Sequence, residues 1–130
     1  MILFRPTGEA EIKLVAQSGW TAWPPRLPEQ PIFYPVTNQP YAEQIARDWN
    51  STQAAPNNLG FVTRFEISDD VAARYPVQRA GGNQHTELWV PAEDMDLINN
   101  ALVGAIELIG AFRDGNPWPL AQAHLHLEPA

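Results

Sequence analysis

Cysteine is absent from the chain, which removes disulfides, thiolate metal sites and a cysteine nucleophile together. A small secreted scaffold is normally stapled by disulfides, so the expected setting is a reducing cytoplasm. Lysine is nearly absent as well. Lys13 is the one lysine, and the remaining basic residues are arginines, the form of positive charge that grips carboxylates and phosphates bidentately. Basic residues number 8 against 15 acidic ones, for a formal net charge of −7. That balance argues against non-specific binding to nucleic acid or to an anionic membrane, both of them polyanions, and leaves local phosphate binding open. No apolar run approaches the roughly 20 residues that span a bilayer. The opening Met-Ile-Leu-Phe-Arg-Pro lacks the basic segment and long apolar stretch of a signal peptide, so none is expected. Gly81-Gly82 is too short for a phosphate-binding glycine loop and opens no helix. Gly-x-Ser-x-Gly does not occur, and Ser18, Ser51 and Ser68 have no plausible base beside them in sequence.

What is present is 130 residues, 45% of them hydrophobic. That length supports one real core and is too short for two ordinary domains. The 13 prolines accompany 5 Trp, 3 Tyr and 5 Phe. Proline-rich loops packed on aromatic rings hold irregular backbone rigidly, and binding sites are often built there.

Residues 2–5 read as an opening strand stopped by Pro6. Thr7 offers an N-cap, Ile12, Val15 and Ala16 give a helical apolar face over residues 8–17, and Gly19 supplies the stop. Residues 19–31, GWTAWPPRLPEQP, exclude regular helix. They read either as a rigid connection with its tryptophans packed inward or as a ligand clamp carrying Arg26. A short strand follows over residues 32–36. Asn38 caps the next helix, whose stripe of Ala42, Ile45, Ala46 and Trp49 faces a core, so Trp49 is expected to be buried. Residues 51–58 read as an exposed loop. Residues 61–67 alternate, with Phe61, Thr63, Phe65 and Ile67 on the buried face. Asp69 caps a helical turn, and residues 78–90 form a hairpin about Gly81-Gly82-Asn83 or two strands joined by a tight bend. Residues 92–99 read as a short acidic helix. Residues 105–112 read as a strand, because Gly104 and Gly110 weaken a helix and Ile106, Leu108 and Phe112 share one face. These elements predict an α+β fold: one compact domain over residues 1–113 with a small bent or split, mainly antiparallel sheet and two to four helices. A Pro-rich C-terminal tail over residues 114–130 is expected to be poorly ordered or loosely docked.

Two charges interrupt apolar strands. Arg5 ends Ile2-Leu3-Phe4, and Glu87 lies inside His85-Thr-Glu-Leu-Trp-Val. A mid-strand carboxylate either faces solvent on a half-exposed sheet or points into a cleft. As a pair, an arginine and a glutamate suit an anionic diphosphate and a cationic sugar transition state, the first through bidentate contacts and the second through its negative charge. His124-x-His126 places two ligands on one side of a strand, but at a Pro-rich terminus it reads as solvated tail, and no metal site is assigned. Glu93-Asp94-x-Asp96 reads as helix-start charge.

The stretches FRPTGEAEIKLV, PPRLPEQPIFYPV, YAEQIARDWN, GFVTRFEIS and HTELWVPAEDM resemble a family of small bacterial proteins labelled "ADP-ribosylation/crystallin J1", over roughly residues 4 to 110. Crystallin J1 relatives are much larger, all-helical hydrolases, which a chain with several strands cannot match. The order of features is more similar to a minimal ADP-ribosyltransferase fold. That resemblance implies that Arg5 binds NAD, that Glu87 is the catalytic glutamate, and that NAD is the substrate, with no metal. It adds Arg26, Tyr34 and Thr63 as further NAD-binding candidates. His85 stands where many arginine-modifying transferases carry a second glutamate, and Val62-Thr63-Arg64 stands in for their Ser-Thr-Ser strand. The alternative reading is a non-catalytic interaction domain, a partner or neutraliser of another bacterial protein, that uses a Trp/Pro surface over residues 20–35.

Overall fold

A computed structural model describes residues 1–82 and 85–128. The strands are β1 (Ile2–Gly8), β2 (Ile32–Phe33), β3 (Leu59–Glu66), β4 (Val77–Arg79), β5 (Thr86–Leu88), β6 (Val90–Pro91), β7 (Glu107–Arg113) and β8 (Asn116–Pro117). The helices are α1 (Glu9–Gln17), α2 (Gln39–Ile45), α3 (Asp69–Ala72), α4 (Met95–Asn100) and α5 (Leu120–Leu127). The architecture is α+β. Its main sheet has the order β1-β3-β7-β8, and the pairs β2-β6 and β4-β5 stand beside it, every pairing antiparallel. The expected hairpin is β4-β5, with Gln78 opposite Glu87. Asn83, expected in its turn, lies outside the described residues.

Val36 joins the sheets. It bridges Phe4 of β1 on one side and Glu87 of β5 on the other. Phe4 and Val36 exchange both backbone hydrogen bonds, at 2.9 and 2.7 Å. The backbone of Phe4 therefore points away from β3, and so does that of Pro6 two residues on. A proline there forfeits no ladder bond, which is why β1 runs through Pro6 to Gly8 instead of stopping at it. The N-cap of α1 is accordingly Gly8, without a side-chain cap, and Thr7 is spent in the strand.

Strand β3 is covered on both faces. Phe61, Phe65 and Ile67 enter the large core with Leu3, Ile12, Val15, Trp23 and Phe33. Val62 enters a smaller cluster with Val36, Ala42, Ala46 and Phe112 beneath α2. Leu108 and Phe112 were expected on one face, but they fall in different clusters. The register of β3 on β7 slips between Val62 and Thr63, opposite Gly110 and Leu108, so Ile109 is an extra residue that turns Phe112 to the other side.

Helix α2 starts as expected, with the Asn38 side chain accepting from the Tyr41 N–H at 2.9 Å. Trp49 departs from expectation: it is 61% exposed. The helix continues as a π-turn over Ala46–Asn50, closed by the Ser51 N–H donating to the Ala46 carbonyl at 2.9 Å. That wider turn carries Trp49 off the stripe that buries Ala42 and Ala46. Gly60 of β3 makes the close approach possible, since a Cβ there would stand 2.3 Å from the Ala46 oxygen.

The C-terminal residues do not form a loose tail. Asn116–Pro117 extends the main sheet as β8, and α5 buries Ala123 and Leu127 in the large core, a fifth α-helix where two to four were expected. Glu9 anchors it. Its carboxylate takes His126 Nε2 at 2.5 Å, Asn57 Nδ2 at 2.8 Å and Lys13 Nζ at 3.0 Å. Burial alone would raise this carboxyl, and those three donors bring it down to about 2.

Gly60→Ala is therefore expected to destabilise the domain by about 1–3 kcal/mol through forced separation of β3 from the π-turn. Trp49→Ala should stay within about 0.5 kcal/mol of wild type. Thermal melts of the two variants check this contrast, and equal losses would contradict it.

Candidate functional site

Arg5 leaves β1 on the side of Leu3, toward the large core, and meets Glu11 of α1. Arg5 Nε donates to Glu11 Oε2 at 2.6 Å and Nη2 to Oε1 at 2.9 Å. Arg26, from the prolyl connection, donates through Nη1 to the same Oε1 at 3.1 Å and through Nη2 to the Ile32 carbonyl at 3.1 Å. All three side chains are largely buried. The Arg5 guanidinium lies 4.4 Å from the centre of the Phe33 ring and that of Arg26 lies 5.7 Å away. Burial would raise the Glu11 carboxyl, but Arg5 first, then a Thr7 hydrogen bond and the Arg26 charge, hold it below its ordinary range. Burial and the Arg5 charge in turn lower the pKa of Arg26. Two guanidiniums share one carboxylate, so the cluster carries one surplus positive charge.

Glu87 stands on β5 across Val36 from β1. Arg5 and Glu87 line one cavity of about 430 Å³, with Tyr34, Trp89, Ile45 and Asn50 among its other walls. Tyr34 and Trp89 meet edge to face, with centroids 6.3 Å apart at 86°. Trp89 Nε1 donates to Glu87 Oε1 at 2.8 Å. Burial, then the Glu87 charge and a hydrogen bond to it, raise the pKa of the Tyr41 phenol, and the Tyr41 ring stacks on His85 with centroids 4.4 Å apart. A second cavity, of about 660 Å³, shares Arg5, Pro6 and Asn50 with the first and continues past Gly8 to Lys13 and Pro56. Arg5 thus sits where the two cavities adjoin, at the waist of the groove they line.

The structure brings together Arg5, Tyr34 and Glu87 of the expected site residues. Arg26 does not line their cavity. It lies behind Glu11 and opens instead on separate surface hollows beside Pro25. Thr63 is a correction: it is fully buried, and its hydroxyl donates to the Arg5 carbonyl at 2.9 Å, so it supports the backbone of Arg5 and reaches no ligand. The expected His124-x-His126 pair falls on α5, where residues two apart diverge. His126 binds Glu9, and His124 leans on Trp20. Asp94 of the acidic cluster accepts from the Tyr75 hydroxyl at 2.8 Å. Among the described residues no group of three or more His, Cys, Asp or Glu is placed to hold a metal ion. No family model, curated protein or solved structure matches the chain.

Sequence reasoning missed Glu11, Tyr41 and Trp89. Glu11 reads as helix-start charge, because nothing local shows that β1 folds back beside α1. Trp89 was legible in principle, since it is two residues beyond Glu87 in extended chain and falls on the same side.

Glu11→Gln should cost about 3–5 kcal/mol at neutral pH, because it leaves two buried guanidiniums without their carboxylate. The folded pKa of Glu11 is depressed from an ordinary 4.5, so its contribution is present above that pH and is lost on acidification below it. Denaturant unfolding at pH 7 and at pH 3 should show a smaller pH response in the variant than in wild type.

Proposed function

We propose that the groove binds a nicotinamide dinucleotide and that Glu87 promotes cleavage or transfer of its ADP-ribose. The observation that supports this reading is the convergence of Arg5 and Glu87 on one cavity whose walls include Tyr34 and Trp89. Aromatic walls with a few convergent polar groups suit a flat heterocycle. Glu11 takes the Nε side of the Arg5 fork, which leaves the Nη1 end for a phosphate oxygen. Among the described residues Glu87 has no ion-pair partner, so its charge is available to a developing ribosyl cation. In the reaction the bond from ribose C1′ to the pyridinium nitrogen breaks, and its electron pair neutralises the ring as nicotinamide leaves. Water, or the nucleophile of an acceptor, then adds to C1′ and gives up its proton to solvent. Glu87 favours the oxocarbenium-like state between these events.

A second reading, a non-catalytic interaction domain, rests on exposed Leu14 and Leu27 beside Pro24 and Pro25, which line a shallow groove. The tryptophans expected to form that surface turn inward instead: Trp23 is 2% exposed and Trp20 packs against the core.

Glu87→Gln should leave the melting temperature near that of wild type while NAD turnover falls on the order of a hundredfold or more. Assay of NAD consumption by both proteins, with and without candidate acceptors, checks it. A wild-type protein that consumes no NAD under any of these conditions leaves the interaction domain as the standing account.

A further inference from the structure

We infer that Trp89 is a positioning residue for Glu87: its indole N–H fixes the carboxylate, a role separable from the wall that its ring gives the cavity. The inference rests on the reading of Glu87 as the group that faces the ribosyl cation, and it deepens that reading.

The indole N–H donates to Glu87 Oε1 at 2.8 Å. Trp89 lies in the single-residue gap between β5 and β6, so its backbone is held by paired chain on both sides. Trp89 is 46% exposed, which is a poor use of a large apolar surface if packing were its purpose. Tyr34 meets the ring edge to face and limits its rotation. The indole is therefore anchored at its base and against Tyr34, and the N–H is presented to a fixed point.

The kind of donor matters. An arginine or lysine would also orient a carboxylate, but it would cancel the charge, as Arg5 and Arg26 do for Glu11. An indole N–H is neutral and can never accept. It selects one rotamer of Glu87 and leaves the net negative charge intact. Tyr41, from α2, adds a second neutral group beside the same carboxylate, with its ring stacked on His85 at an interplanar angle of 7°. The two carboxylates near Arg5 are thus treated oppositely. Glu11 is neutralised by cations, and Glu87 is held by neutral groups.

Trp89→Phe separates the two roles, because it keeps an aromatic wall and removes the donor. In this variant the NAD dissociation constant should stay within about twofold of wild type while kcat falls on the order of tenfold or more, the penalty of a loosely placed catalytic group. Independently of any turnover, the carbon-13 resonance of the Glu87 carboxyl at neutral pH should move in Trp89→Phe relative to wild type, since its indole donor has gone. A wild-type protein with no NAD turnover but with this resonance change would refute the NAD reading and leave the positioning role standing. An unmoved carboxyl resonance, or a weaker NAD affinity with unchanged kcat, would overturn it, since Trp89 would then be wall alone. Should Trp89→Phe fail to fold, the wild-type indole N–H resonance of Trp89 reports the same contact. It should move toward the position of a free indole in Glu87→Ala, and an unmoved indole would overturn the inference.

Discussion

One carboxylate, that of Glu11, holds the molecule's chemistry in place. It binds guanidiniums from two otherwise unrelated segments, the first strand and the prolyl connection, and both cations lie over the Phe33 ring. Removing three charges from water is costly, and an apolar trio of similar volume could make as stable a core. What apolar packing could not supply is direction. The bidentate contact fixes the Nε side of Arg5 against α1 and turns the rest of the fork toward the groove. The connection through residues 19–31 has almost no secondary structure of its own, and Arg26 ties it down at the one point where it passes the site.

The other half of the site depends on a single backbone residue. Val36 exchanges hydrogen bonds with the edge of β1 and bridges to β5 as well, so one extended residue separates the strand bearing Arg5 from the strand bearing Glu87. This short span explains how two charges more than eighty positions apart in sequence line one cavity. Beneath it, Gly60 lets the π-turn after α2 rest on β3, and that places Ile45 and Asn50 at the floor of the same cavity. The wall, the base and the charges thus come from four segments, β1, residues 34–36, α2 with its π-turn, and β5 with Trp89, that meet around Val36.

Much of the fold was legible because its signals are local. The alternation of residues 61–67, the Asn38 cap, the β4-β5 pairing and the strand character of residues 107–113 follow from side-chain period and turn chemistry. Two of the failures share a different cause, an extra residue. A π-turn at Ala46–Asn50 moved Trp49 to solvent, and a bulge at Ile109 moved Phe112 to the second cluster. Neither insertion changes composition or period enough to be seen in a short window. The C-terminal helix lies in a segment whose prolines suggest an irregular tail, while proline just before a first turn is well tolerated. Of the site, Arg5 and Glu87 stood out as charges within apolar strands. Two of their supports, Glu11 and Tyr41, carry no such mark, because each matters through a contact formed only when separate elements meet, whereas Trp89 stands two residues from Glu87 in extended chain.

The central claim is that this groove, with Glu87 and Trp89 at one end and Arg5 at its waist, is where a nicotinamide dinucleotide binds. The five tryptophan indole N–H resonances give the most direct view of it, because Trp89 lines the cavity, while Trp20 and Trp118 are packed elsewhere. Titration of the nitrogen-15-labelled protein with NAD should move the Trp89 indole and the Arg5 Nε–H resonances saturably and together, with those of Trp20 and Trp118 held nearly still. A Trp89 indole that shows no saturable shift at millimolar NAD would contradict the account.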